Sequence, residues 1–164
     1  LLDKPVEEVT GKGAGLTSEG LERKISVIKE AICRHRPDRD DAMDVMAKVG
    51  GLDIAGLAGV YLGGALYHIP VVIDGFISAV AALCAARLVP ASLDYMMPSH
   101  VSKEPAGQML LDALGLAPFL TCDMCLGEGS GAVAVFPLLE MGLQVYLQMS
   151  TFEETNIEKY EVLK

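Results

Sequence analysis

Residues 69–89, IPVVIDGFISAVAALCAARLV, limit the possible folds more than any other stretch of the chain. A short β-branched run ends abruptly at Asp74-Gly75, and a small-residue apolar segment of helical length follows from Phe76 to about Leu88. Strand, tight turn and apolar helix in that order form the repeating unit of a parallel α/β sheet. The same window is apolar enough to raise the question of a membrane span. Asp74, Gly75 and Arg87 interrupt it, and its start reads as a strand, so no span is expected.

Composition supports this class. Of 164 residues, 51% are hydrophobic but only 5% aromatic, with no Trp and 17 Gly. That mixture suits small-faced helices packed on a buried parallel sheet better than a β-sandwich. The expected fold is therefore α/β, a parallel sheet flanked by helices in a Rossmann-like three-layer arrangement. Residues 1–164 read as a single α/β region.

Periodicity places the other elements. After GKGAGL, Thr17 or Ser18 caps a helix reaching about Arg34, with Leu21, Ile25, Ile28 and Ile32 on one face. Asp38 to Asp41 open a second helix that stops at Gly50-Gly51. Residues 52–67 form a third, whose Gly56, Gly59, Gly63 and Gly64 are expected on close-packing faces. DYMMPSH supplies a second short strand, and a helix follows Pro105. A long last helix from about Gly129 to Met149 contains Pro137, which predicts a kink or break.

Charge and cysteine usage narrow the functional classes. The net charge is −9 and the basic residues are scattered, so nucleic acid is not an expected partner. Cys33 and Cys84 lie in apolar helical patterns and read as small hydrophobes. Cys122 and Cys125 form one C-x-x-C, with neither a second pair nor a closely spaced His pair to complete a zinc site. No metal or cofactor is expected. The sequence opens without a hydrophobic leader, so the expected compartment is the cytoplasm.

Ligands of open parallel sheets bind beyond the carboxyl ends of the strands. That rule selects Asp74-Gly75, then Ser99, His100 and Ser102, then Glu128 to Gly131. Asp74 is either a helix N-cap or a carboxylate facing a ligand. His100 between two serines fits no hydrolase triad, and a hydroxyl-bearing loop is better suited to a phosphate. GKGAGL lacks the phosphate-loop spacing, and Lys24 by pattern alone is a helix-surface lysine. Glu128 stands within LGEGSG, where Gly129 to Gly131 offer N–H groups at a helix start. A general base is one reading; an acidic residue in a tight turn, favouring the helix dipole, is the other.

Five segments in one order then resemble a known family: VTGKGAGLTSEGLERKISVIKEAI, GGLDIAGLAG, IPVVIDGFISAVAAL, SHVSKEPAG and LGEGSGAVAVFPLLEMG. Together they are similar to the C-terminal half of nicotinate-nucleotide–dimethylbenzimidazole phosphoribosyltransferases, the CobT family of cobamide synthesis. The resemblance implies that Glu128 is the general base. It implies that Lys24, Ser102, Gly129, Ser130 and Gly131 surround the nucleotide phosphate, that Asp74 and Gly75 edge the site, and that Leu126 lines the pocket of the aromatic base. It further implies nicotinate mononucleotide and a benzimidazole-type base as substrates, no cofactor, and a homodimer. Family members are longer, so the chain is expected to be the C-terminal half of such an enzyme. A non-catalytic homologue that binds a nucleotide, or contributes to oligomer assembly, is the alternative.

Overall fold

The computed structural model describes residues 1–13 and 15–158; Ala14, within the Gly-rich GKGAGL stretch, lies outside the described residues. The chain divides into two units, Leu1–Ala134 and Val135–Lys164. In the first unit, a short helix α1 (Val6–Val9) precedes α2 (Ser18–His35), α3 (Ala42–Val49) and α4 (Leu52–Leu66). Strand β1 (Val71–Ile73) leads into α5 (Phe76–Leu88); a 3₁₀ turn over Pro90–Tyr95 leads into β2 (Met96–Pro98) and then α6 (Gly107–Leu114). Helix α7 (Ser130–Gln148) begins in this unit, and the second unit ends its described part with α8 (Phe152–Thr155).

Local chemistry accounts for the boundaries. Thr17 accepts from the amide of Gly20 at 3.1 Å to start α2, and Asp41 accepts from the amides of Met43 and Asp44 at 2.9 and 3.1 Å to start α3. These are the side-chain caps that helix starts require. Ser78 replaces the missing cap of Gly75 at the start of α5. Its hydroxyl accepts from the Gly75 amide at 2.9 Å and donates to the Gly75 carbonyl at 3.0 Å.

The window 69–89 divides as its composition predicts. Helix α5 is the centre of the first unit, with Ala79, Ala81, Ala82, Leu83, Cys84 and Ala85 all buried. A helix buried on every side must be apolar all round, and alanine lets its neighbours approach closely. Those neighbours are α3, α4, α6 and β1. Ala58 and Tyr61 of α4, Leu110 and Leu114 of α6, Ile73 and Met96 complete the core.

Three expectations are corrected. In α4 only Gly64 is forced by packing, because a Cβ there would meet Val71 and the Ile69 carbonyl; Gly56, Gly59 and Gly63 face open space. Cys33 is exposed, and only Cys84 behaves as a core hydrophobe. Helix α7 runs on through Pro137 without a break. The missing proline N–H removes one helical bond, to the Val133 carbonyl, and the remaining ladder carries the helix past it. Among the described residues, α7 is also the one helix long and apolar enough to cross a membrane by length and composition. Helices covered by other protein meet the same description.

Burial has a measurable consequence at Tyr61, which is only 3% exposed. Burial pushes its phenol up to about 12; a hydrogen bond with Ser78 opposes the shift and the Asp74 charge adds to it. The fold favours the neutral phenol, so this contribution is intact below the unfolded value of about 10 and is lost as pH rises from about 10 to about 12. Denaturant midpoints are expected to fall across that window less steeply in Tyr61→Phe than in the parent. Parallel pH profiles would refute the assignment.

Candidate active site

Strands β1 and β2 are parallel, with Val71 opposite Met96, Val72 opposite Met97 and Ile73 opposite Pro98. Both chains therefore leave the sheet at the same end, Asp74 from one and Ser99-His100 from the other. A third extended segment joins them there: His100 pairs with Leu120 in parallel, and the Leu120 amide donates to the Ser99 carbonyl at 2.9 Å. This segment carries residues 121–129 to the same edge. The three groups singled out by sequence thus emerge side by side.

They surround a cleft of about 610 Å³. Lys24, Asp74, Gly75, His100, Ser102, Glu104, Met124, Cys125 and Gly127 to Gly129 are on its wall. Lys24 reaches it from α2, its ammonium donating to the Gly11 carbonyl at 2.9 Å. The Ser102 hydroxyl oxygen accepts from the Glu104 amide at 3.3 Å, which leaves the O–H proton free to donate elsewhere.

Glu128 occupies an unusual backbone. Gly127, Glu128 and Gly129 are all left-handed, with φ of 77°, 57° and 80°. A non-glycine residue there costs about 1–2 kcal/mol, and such strain persists only where the surroundings enforce it. A Cβ at Gly127 or Gly129 would meet nothing within 4 Å. Conformation, not crowding, demands glycine on either side of the glutamate.

Asp74 enforces that turn. One carboxylate oxygen accepts from the Gly129 amide at 3.1 Å and the other from the Ala132 amide at 3.0 Å. Gly129 immediately precedes α7 and has no side chain to cap it, so Asp74 caps the helix from the end of a distant strand. The Asp74 backbone is itself fixed, since the Ser99 hydroxyl donates to its carbonyl at 2.8 Å.

The same bond assigns the tautomer of His100. A carbonyl can only accept, so the Ser99 proton points to Asp74. The Ser99 oxygen, 3.0 Å from His100 Nδ1, must then accept from that nitrogen. In the neutral ring Nε2 carries the lone pair.

Residues 1–157 match the sequence model of a phosphoribosyltransferase family, DBI_PRT. The chain belongs to that family. Among its relatives, the nicotinate-nucleotide–dimethylbenzimidazole phosphoribosyltransferase of Clostridium acetobutylicum is 49% identical over 160 residues, covering 98% of this chain and 46% of the relative. The enzyme of that name from Acetivibrio thermocellus is 48% identical over 161 residues, with the same coverages. The crystal structure of CobT from Thermus thermophilus superimposes with a TM-score of 0.87 at 39% identity, over 97% of this chain and 47% of that one. The chain spans about half the length of the phosphoribosyltransferases it matches.

Within this phosphoribosyltransferase fold, Lys24, Asp74, Gly75, Ser102, Glu128 and Gly129 come together on one cleft wall. Leu126, Ser130 and Gly131 are not on that wall. Leu126 is 75% exposed. The Ser130 hydroxyl is buried without a hydrogen-bond partner among the described residues. Gly131 is glycine for a packing reason: a Cβ would lie 1.9 Å from His100 Nδ1. His100, which the strand-end rule selected without a role, is on the cleft wall, and Glu104 is a cleft residue that sequence reasoning passed over. Glu104 carried no signal, because its approach to Gly11 is purely tertiary.

Proposed function

We propose that this chain carries the transfer of phosphoribose from nicotinate mononucleotide to 5,6-dimethylbenzimidazole, or a related base, giving α-ribazole phosphate and nicotinate. The observation that carries the reading is Glu128, held in a left-handed turn on a cleft wall that also presents Lys24 and Ser102. The names of the relatives supply donor and acceptor. In this reaction the glycosidic C–N bond to the pyridinium breaks and its electrons neutralise the departing nicotinate ring. The acceptor's imine-type nitrogen forms the new bond, and the N–H proton on its other ring nitrogen passes to Glu128. One base therefore suffices, and alignment in the cleft supplies much of the remaining rate.

Lys24 and Ser102 take the phosphate in this reading, with Gly129, Ser130 and Gly131 around it, Asp74 and Gly75 at the edge of the site, and Leu126 lining the pocket of the aromatic base. Residues 1–164 correspond to the C-terminal half of a longer cytoplasmic phosphoribosyltransferase. The chain is also assigned to a homodimer. Leu52, Val60 and Leu66 leave α4 with exposed apolar side chains beside the open Gly56, Gly59 and Gly63. A strictly monomeric sedimentation profile would remove that part of the reading.

The chain incubated with nicotinate mononucleotide and dimethylbenzimidazole is expected to yield α-ribazole phosphate by mass spectrometry. A folded chain that neither binds the nucleotide nor makes product would refute the assignment. Ser102→Ala removes one hydrogen bond to a charged phosphate, so calorimetric affinity for the nucleotide is expected to fall by about tenfold or more. Turnover at saturation should change less. An unchanged affinity would take Ser102 out of the phosphate site.

A further inference from the structure

We propose that Asp74 is a positioning residue, which acts on the reaction by holding Glu128 and not by contacting substrate. The inference rests on the reading of Glu128 as the base. Its foundation is geometric: the two Asp74 carboxylate oxygens each accept one backbone amide, from Gly129 and Ala132. These two amides bracket the turn from Glu128 into α7. The tether crosses 55 and 58 residues of sequence and ties a loop to the end of a strand.

The loop needs such a tether. Glycine on both sides of Glu128 gives the backbone wide freedom, and the left-handed run from Gly127 to Gly129 is one of many shapes open to it. Local selection amounts to one turn hydrogen bond, from the Ser130 amide to the Gly127 carbonyl at 3.0 Å, since the residue preceding α7 is a glycine without a capping side chain. Asp74 supplies the missing cap as an anion at the positive end of a helix, where it is favoured. Its anchorage is firm: Ser99 donates its amide to the Ile73 carbonyl at 2.9 Å and its hydroxyl to the Asp74 carbonyl at 2.8 Å. His100, 5% exposed, closes the other side by packing directly on Gly131. The turn is thus clamped between a carboxylate and an imidazole ring. A carboxylate occupied in this way sets where the Glu128 backbone starts, and hence where its side chain can reach. A misplacement of about 1 Å in a catalytic group is enough to cost about a hundredfold in rate.

Asp74→Asn is the test. The side chain keeps its shape but retains one acceptor oxygen, and its NH₂ group must face one of the two backbone N–H donors. Asp74→Ala, which loses both acceptors, gives the second point of a graded series. With folding checked by thermal melts, hydrogen–deuterium exchange of the Gly129 and Ala132 amides is expected to quicken by about tenfold in Asp74→Asn, and further in Asp74→Ala. This arm needs no turnover. In the kinetic arm, kcat should fall by about ten- to a hundredfold with nucleotide affinity nearly unchanged. Asp74→Asn added to Glu128→Gln should cost nothing further, because a residue that acts only through Glu128 has nothing left to position. Unchanged exchange, an additive loss in the double variant, or an affinity loss matching the kcat loss would each overturn the proposal. Full turnover in Glu128→Gln alone would instead refute the base assignment, and the exchange arm would still decide whether Asp74 holds the turn.

Discussion

Glu128→Gln is expected to lower turnover by about 10² to 10⁴-fold, the usual worth of a well-placed general base, with nucleotide affinity little changed. The glutamine is nearly isosteric, so the left-handed turn and its Asp74 tether should survive. In the proposed reaction, what disappears is the carboxylate assigned to take the acceptor's proton as the new C–N bond forms. The departing nicotinate is a pyridinium in that reaction and needs no acid, so the loss falls on the proton-accepting step alone. Mass-spectrometric product formation, with calorimetry on the same preparation, separates the two effects. Equal loss of affinity and rate would make Glu128 a binding residue. Full activity would leave the cleft without its base.

Gly131→Ala is expected to damage stability and binding together. The added Cβ would lie 1.9 Å from His100 Nδ1, 2.3 Å from its Cε1 and 3.0 Å from an Asp74 carboxylate oxygen. Neither neighbour can yield cheaply. The imidazole is buried and bonded to Ser99, and the carboxylate is committed to two amides. Overpacking of this kind typically costs about 1–3 kcal/mol, and here the displaced groups are the two that clamp the Glu128 turn. Thermal melts should show the loss, and nucleotide binding should weaken with it. Gly56→Ala is the control, since the same methyl group at that α4 position meets nothing within 4 Å. An exposed helix gains about 1 kcal/mol from that change, so the control should melt higher than the parent. If Gly131→Ala melted with the parent, the packing of α7 against His100 would be wrong.

Elements whose start and stop chemistry is local were legible in the sequence. Of the two candidates Thr17 and Ser18, Thr17 caps α2; Asp41, the last of the acidic run expected to open it, caps α3; and α5 ends at Leu88 as its apolar run predicts. Of the kink or break expected at Pro137, the break does not occur, because a single missing amide does not outweigh the remaining helix ladder. The α4 glycines misled for another reason. A glycine in a helix pattern looks the same whether it faces a neighbour, as Gly64 does, or open space, as Gly56 does.

The site divides along the same line. The strand–turn–helix rule, applied to residue types alone, found the three segments that meet at the cleft, and the family motifs named Ser102 and Glu128 within them and Lys24 from α2 beside them. Asp74 shows what had to wait. Its two sequence readings were a cap and a ligand-facing carboxylate; the structure makes it a cap, but of a helix 55 residues further on and not of its own. The tautomer of His100 and the reason for Gly131 likewise depend on which atoms of Ser99, Asp74 and α7 come within bonding distance. Sequence by itself determined the α/β class, most helix boundaries and the segments bearing the chemistry, because caps, periodicity and strand ends act over a few residues. Only the tertiary structure decided which carboxylate holds the turn, because hydrogen bonds between distant segments are set by their packing and leave no periodic trace in the chain.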